Sequence, residues 1–241
     1  MTFEEVVHYR RSVRHYKDTH IDTDKVRACL ELATMAPNSS NMQLWEFYHV
    51  THPVVLRKMA VACLGQMAAT TASQMVVFVT RQDLHRSRAK MILELETQNI
   101  LKNSPPEKHS QRIRQRQMYY GKLMPFLYSS FLGIPGTIRK LAVTVGGVFR
   151  PVPHEVSEND MRVVVHKTCA LAAQTFMLAM ANEGYDTCPM EGFDSRRVRK
   201  ILDLPAGAEI NMVVSCGFRE KGGIWGDRMR LPFSQVYHRI D

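Results

Sequence analysis

The stretch from Ser157 to Gly184 constrains this chain more than any other. Ser157-x-x-Asp160 predicts an N-terminal cap, because the Ser hydroxyl can accept from the N–H three residues on while the acid reaches back. Gly184 predicts the stop, since glycine readily takes the left-handed conformation that ends helices. Between them runs TCALAAQTFMLAMA, apolar nearly all round rather than along one stripe. A helix of that kind is either buried or set in a subunit interface. Its short side chains let neighbouring elements approach closely.

The remaining pattern predicts what packs around it. Thr2-x-x-Glu5 is a capping box for a short first helix, with Val6 and Val7 on its apolar side. Asp22 or Thr23 caps a second helix that places Val26, Cys29, Leu30 and Ala33 on one face and ends before Pro37. WEFYHV (45–50) and the more deeply buried MVVFV (75–79) read as strands, and INMVVSCGF (210–218) alternates like a third. Asp194 caps another helix, and the tail from Gly222 reads as loop followed by an extended terminus. Residues 81–157 are the least legible: a charged helix over about 86–102, Pro105-Pro106, a basic run, then an apolar stretch rich in Gly and Pro. The sum is α+β, without the strict strand–helix alternation of a doubly wound fold.

Composition excludes several classes. With 45% hydrophobic residues the chain is not disordered, and its 13 Gly and 11 Pro follow no period. No secretory h-region opens it, and no uninterrupted apolar run reaches the roughly 18 residues of a membrane span, the nearest being Leu123 to Ile138, uncharged but broken by Pro125 and Pro135. The expected compartment is the cytoplasm. Five cysteines, with no C-x-x-C, predict buried reduced thiols rather than disulfides or a zinc ribbon, and no metal ligands are assigned. The net charge of +9 is concentrated in residues 81–122, where ten Lys or Arg face four acids. A solvated helix face explains this; a nucleic-acid or acidic-membrane surface is the alternative, without a nucleic-acid motif to accompany it.

The usual catalytic signatures are missing. There is no G-x-G-x-x-G after a strand, no P-loop, no nucleophile elbow and no H-E-x-x-H. Gly222-Gly223-x-x-Gly226 reads as a turn, and Cys188 has no evident His partner. Three segments stand out. Arg10-Arg11-Ser12-Val13-Arg14 concentrates guanidinium forks, which match phosphate oxygens bidentately. Arg228-x-Arg230 adds a second pair near the other terminus, able to face one anion from an extended chain. Residues 37–45, PNSSNMQLW, place amides and hydroxyls on a loop feeding a strand.

Together these segments resemble the FMN-dependent nitroreductase family. The family's R-[RH]-S-x-[RK] opening is matched by residues 10–14, and its A-P-S-S-x-N-x-Q-P-W by Ala36 to Trp45. The apolar helix ending in Gly, the turn Pro189-Met190-Glu191-Gly192-Phe193-Asp194, and Arg228-Met229-Arg230-Leu231-Pro232 follow in the family's order. The match covers roughly residues 3–80 and 158–235. Leu44 replaces the family's Pro, a change expected to affect only the loop. Residues 84–157 exceed the usual middle segment.

The resemblance implies a single nitroreductase-like domain over 1–241, with a helical and apolar insertion at about 84–157. It implies a central mixed or antiparallel sheet flanked by helices, in an intertwined homodimer with FMN sites at the interface. Arg10, Arg228 and Arg230 would neutralise the FMN phosphate, and Arg11 and Ser12 would contact the phosphate–ribityl region. Arg14 would sit near the pyrimidine edge as electrostatic stabiliser. Pro37, Asn38 and Ser39 would come from the partner chain, Glu191 and Gly192 would line the ring, and Gln66 would replace missing ribityl or ring contacts. NADH or NADPH would supply hydride through flavin N5 to a small oxidised acceptor such as a nitroaromatic or quinone, with no side chain as general base. The alternatives are other flavin chemistry on the same fold (dehalogenation or azoline oxidation) and a basic, non-enzymatic binding protein. For residues 123–149 the favoured reading is a lid, with Met124, Phe126, Tyr128 and Phe131 as its apolar wall, or dimer packing. Contact with an acidic membrane through 108–149 is the less favoured one.

Overall fold

The computed structural model describes residues 1–241. In chain order the helices are α1 (Phe3–Tyr9), α2 (Thr23–Ala33), α3 (Pro53–Ala62), α4 (Met67–Thr70) and α5 (His85–Asn103). They continue with α6 (His109–Met118), α7 (Met124–Leu127), α8 (Ile134–Gly147), α9 (Glu158–Asn182) and α10 (Ser195–Ile201). A π-helical turn over Tyr119–Leu123 joins α6 to α7. The strands are β1 (Trp45–Val50), β2 (Gln74–Thr80), β3 (Asp186–Met190) and β4 (Glu209–Gly217).

The sheet runs β1-β2-β4-β3 with every strand pair antiparallel, Trp45 opposite Thr80, Gln74 opposite Cys216 and Asp186 opposite Gly217. Of the two arrangements left open by the sequence, the antiparallel one is formed. Parallel character survives only as a single bridge between Ser12 and Thr187. β2 is buried along its whole length, as a strand covered on both faces must be.

Alternation on β2 divides the core. Met75, Val77 and Val79 face a layer with Met59 and Cys63 near α3, Val198 of α10, and Val13. Val76 and Phe78 face the other layer, which holds Val26 and Cys29 of α2 and Cys169, Ala173 and Phe176 of α9. α9 is the helix that the Ser157–Gly184 pattern demanded. The Asp160 N–H donates to Ser157 Oγ at 3.1 Å, and Asp160 Oδ2 accepts from the Ser157 N–H at 2.9 Å. By length and composition alone α9 is long and apolar enough to cross a membrane. Instead ten of its residues are buried, with Cys169, Ala172, Ala173, Phe176, Met177 and Met180 packed in the layer between α2 and the sheet.

Helices α5 to α8 make up the middle of the chain and lie outside the sheet. A third apolar cluster ties them to it: Ala89, Ile92, Tyr120, Met124 and Tyr128 pack with Met42 and Leu44 and with Met161 and Val165 of α9. Leu44 is therefore not a mere loop residue. It is 1% exposed and anchors the middle segment, which corrects the expectation that its change from Pro matters only locally. The four residues expected to form a lid wall are also divided. Met124 and Tyr128 point into this cluster, whereas Phe126 and Phe131 are exposed.

One strand escaped the sequence reading. β3 contains Asp186 and Pro189, residues poor in β propensity. It is the edge strand beside β4, where a proline loses no ladder bond on its open side.

Candidate functional site

Residues 10–14 run beside β3. The Val13 N–H donates to the Thr187 carbonyl at 3.1 Å, and Ser12 bridges to the same residue. In this extended segment Val13 turns into the core and is fully buried, so its neighbours Ser12 and Arg14 turn outward. Buried Tyr16 holds the end of the segment, its hydroxyl bonding to the Ser215 carbonyl at 3.1 Å and contacting Ser215 Oγ at 2.9 Å.

The C-terminal tail closes over this segment. Arg228 donates to the carbonyls of Arg10 (2.6 Å), His8 (3.1 Å) and Val7 (3.2 Å), while Arg11 donates to the Gly226 carbonyl at 2.8 Å. The result is a cavity of about 320 Å³ lined by Arg10, Arg11, Ser12, Arg14, Arg228 and Arg230, together with residues of the Ile224–Met229 turn. Six of the twelve residues named from the sequence as cofactor-binding thus meet in one place.

The charge in this cavity is uncompensated. None of its five arginines forms an ion pair, although Asp227 stands on the rim. Burial, and then repulsion from Arg228, Arg230 and Arg11, lowers the Arg10 pKa below the usual arginine value. Arg228 is lowered in the same way, by burial and then by Arg230 and Arg11. Five guanidinium groups against the single carboxylate of Asp227, none of them ion-paired, have the chemistry to hold an anion carrying more than one charge.

The Gly-rich turn has a role that the sequence reading missed. The Arg14 N–H donates to the Gly223 carbonyl at 2.7 Å. A Cβ on Gly223 would fall 2.4 Å from the His15 carbonyl oxygen, so only glycine lets the tail pack this closely. The turn also brings Trp225 under Arg14, whose guanidinium lies 4.8 Å from the ring centroid. The Gly-Gly-x-x-Gly spacing was the available signal, but it positions the tail rather than opening a helix.

Gln66, Glu191 and Gly192 form a second group. Gln66 Nε2 donates to the Gly192 carbonyl at 2.6 Å and to the Cys63 carbonyl at 3.1 Å. The Asp194 N–H donates to the Ala62 carbonyl at 2.7 Å, so the turn at 191–193, with Glu191 and Gly192 exposed and Phe193 half-buried, is pinned to the end of α3.

Pro37, Asn38 and Ser39 lie elsewhere. Neighbouring Ala36 packs in the α2–α9 layer, whereas Val13 packs in the layer on the opposite face of the sheet. Asn38 Oδ1 accepts from the Gln43 N–H at 2.9 Å, and the Ser39 N–H donates to Thr168 Oγ1 at 3.4 Å. Ser40, Asn41 and Gln43 all have positive φ (55°, 52° and 48°), a cluster of left-handed non-glycine residues in one short loop. Pro37 and Ser39 remain exposed on it.

Thiol chemistry has no place in these sites. All five cysteines are buried and unpaired. Burial raises the Cys188 thiol despite the nearby Arg14 and Arg10, and pushes Cys169 up to about 12. Protonated buried thiols are poor nucleophiles.

Comparison with known proteins gives this arrangement a family. Protein DrgA of Synechocystis sp. is 26% identical over 232 residues, covering 96% of this chain and 90% of its own. The NADH dehydrogenase of Thermus thermophilus is 26% identical over 227 residues, covering 94% and 90%. Among solved structures, an Exiguobacterium sibiricum protein in complex with FMN superposes with a TM-score of 0.70 at 20% identity, covering 100% of this chain and 98% of that one. A family model described as the Nitroreductase family matches residues 7–218, so this chain belongs to that family.

Proposed function

We propose that this protein is an FMN-dependent oxidoreductase that draws on NADH or NADPH and reduces an oxidised small molecule such as a nitroaromatic or a quinone. The observation that carries the reading is the cavity where Arg10, Arg11, Arg14, Arg228 and Arg230 converge without an ion pair. A phosphate monoester supplies the charge this cluster lacks, and its several oxygens match guanidinium forks. Family membership and the FMN complex of a structural relative support the same ligand.

When bound, FMN supplies the hydride chemistry, and the chain supplies binding, orientation and electrostatics. Arg10, Arg228 and Arg230 hold the phosphate, with Arg11 and Ser12 beside it. The Arg14 guanidinium would stabilise negative charge that develops on the ring. Gln66 fixes the turn whose Glu191 and Gly192 line the flavin. No side chain is assigned as general base.

The working unit is a homodimer of one domain per chain, with residues 84–157 as its insertion, acting in the cytoplasm. In one chain the residues next to the two features pack on opposite faces of the sheet, Ala36 beside the 37–39 loop in one layer and Val13 beside the arginines in the other. A second copy can bring its loop to the site instead. Exposed Leu171 on α9 and exposed Met229, Leu231 and Phe233 on the tail give a partner apolar surface to cover.

Purified protein should carry flavin or take up added FMN, and anaerobic NADH or NADPH should bleach its absorbance. A colourless protein that binds no added FMN would end the reading. Light scattering should give about twice 27.6 kDa for the flavin-loaded form. A monomeric mass for active protein would remove the partner loop from the site.

A further inference from the structure

Helix α8 is inverted with respect to water. Of its 14 residues only Gly136 and Arg139 are buried. Ile134, Ile138, Leu141 and Val145 are 54%, 53%, 67% and 57% exposed, and Val148 and Phe149 just beyond the helix are exposed further still. Steps of four, three, four and three residues align Ile134, Ile138, Leu141, Val145 and Val148 on one stripe. A soluble helix normally turns such a stripe to the core and its arginine outward.

Polar contacts hold α8 in this orientation. A Cβ on Gly136 would lie 2.8 Å from the Glu158 backbone nitrogen, so the helix touches the start of α9 there. Arg139 donates to the carbonyls of Val156 (2.6 Å), Phe126 (2.9 Å) and Ser129 (3.0 Å). The Glu158 carboxylate accepts from the N–H groups of Phe131 (2.9 Å) and Gly133 (3.1 Å), and Lys140 reaches Asp160 at 3.2 Å. Rolling α8 to hide its stripe would break these bonds and strand a buried guanidinium.

The charge of the chain segment that contains α8 indicates what covers the stripe. Between Glu107 and Glu155 the chain has eight Lys or Arg and no Asp or Glu. Lys108, Arg114, Lys122 and Arg150 are exposed there and form no ion pair. Two copies pressed together through this segment would bring like charges together with no carboxylate from the segment to answer them. An anionic bilayer answers both features, offering acyl chains to the stripe and phosphates to the cations.

We propose that α8, flanked by Phe131, Leu132 and Phe149, docks on an anionic phospholipid surface. The helix is too short to span a bilayer, which takes about 20 residues, so it lies in the interfacial plane. This proposal does not depend on the flavin reading, because neither the arginine cavity nor the 37–39 loop contributes to it.

The test is co-sedimentation of the full-length protein with vesicles of phosphatidylglycerol mixed with phosphatidylcholine, and with phosphatidylcholine alone. The protein should pellet with the anionic vesicles only, and added salt should release it. Leu141→Glu combined with Val145→Glu should lower partitioning by on the order of a hundredfold. Lys122→Gln combined with Arg150→Gln should lower it roughly tenfold. Both pairs are exposed, so melting temperature, oligomeric mass and flavin content should stay unchanged. The proposal is overturned by absence of vesicle binding, by equal binding to neutral vesicles, or by unchanged binding of the Glu variant. A shift in oligomeric mass of the Glu variant would overturn it too, by assigning the stripe to a second copy.

Discussion

Arg228 donates through Nη2 to the Arg10 carbonyl at 2.6 Å, joining two residues 218 positions apart in the chain. The same nitrogen reaches the carbonyls of Val7 and His8, which are left open where α1 ends. Arg228 is therefore fixed by backbone acceptors independently of any ligand. Arg230 is exposed and bonds only to the adjacent Met229 carbonyl, so its guanidinium is free to serve an anion.

Arg230→Ala should consequently weaken FMN binding by roughly 10- to 150-fold, the loss of one charge-assisted bond, with no change in melting temperature. Arg228→Ala should weaken binding comparably and also lower the melting temperature, because three carbonyls lose their donor. Fluorescence titration of the apoprotein with FMN, run beside thermal melts, checks both. Undiminished affinity in Arg230→Ala would rule out its assignment to the phosphate.

In the proposed function Gln66 acts on the flavin indirectly, by pinning the 191–193 turn through the Gly192 carbonyl. Gln66→Leu removes the bond to the Gly192 carbonyl and should reduce FMN affinity about 2- to 12-fold. The same titration measures it, and Gln66→Glu, which cannot donate when ionised, should behave like Leu rather than like the parent.

Asp186 forms the most deeply buried ion pair in the protein. Its side chain is 2% exposed, contacts Arg219 at 2.5 Å and accepts from the Arg219 backbone N–H at 2.8 Å. Asp186→Ala would leave Arg219 uncompensated under the Tyr9 ring and should cost about 3–5 kcal/mol. Urea unfolding of the two proteins gives this difference directly. A loss below about 1 kcal/mol would mean that water reaches the pair.

The start of α9 should be acid-sensitive. Hydrogen bonds from the Ser157 side chain and backbone hold Asp160 from its ordinary 3.8 down to about 2, and the Phe131 N–H foremost lowers Glu158. A carboxyl depressed in the folded state contributes stability above its unfolded pKa and loses it as pH falls through the folded one. Melting temperature should therefore decline between about pH 4.5 and 2. Asp160→Asn should flatten part of that decline, which a series of melts across the window would reveal.

Much of the local structure was legible from residue type. The caps at Thr2, Asp22, Ser157 and Asp194 depend on bonds between near neighbours, and each forms as the spacing predicts. β1 spans the residues read for it, because alternation and β-branched or aromatic side chains mark a half-buried strand. β3 was not legible, since its Pro189 is tolerated only by virtue of lying at an edge. Nor was α8, whose Gly and Pro content and exposed aliphatics resemble a loop or a lid more than a helix clamped through Arg139.

By itself the sequence determined helices α1, α2, α5, α9 and α10 and the strands β1, β2 and β4, the demand that α9 be buried, and the arginines near the chain's two ends and the amides of its 37–45 loop. Those features depend on composition and on contacts a few residues long. Only the tertiary structure decided that Arg10 and Arg230 share one cavity, that the Pro37–Ser39 loop sits in the opposite layer, and that α8 turns its apolar side to solvent. Each of these depends on a hydrogen bond between distant residues: the Arg10 carbonyl accepts from Arg228, the Val156 carbonyl accepts from Arg139, and the Thr168 hydroxyl accepts from the Ser39 N–H. Such pairings leave no periodic trace along the chain, because their partners lie between 17 and 218 residues away.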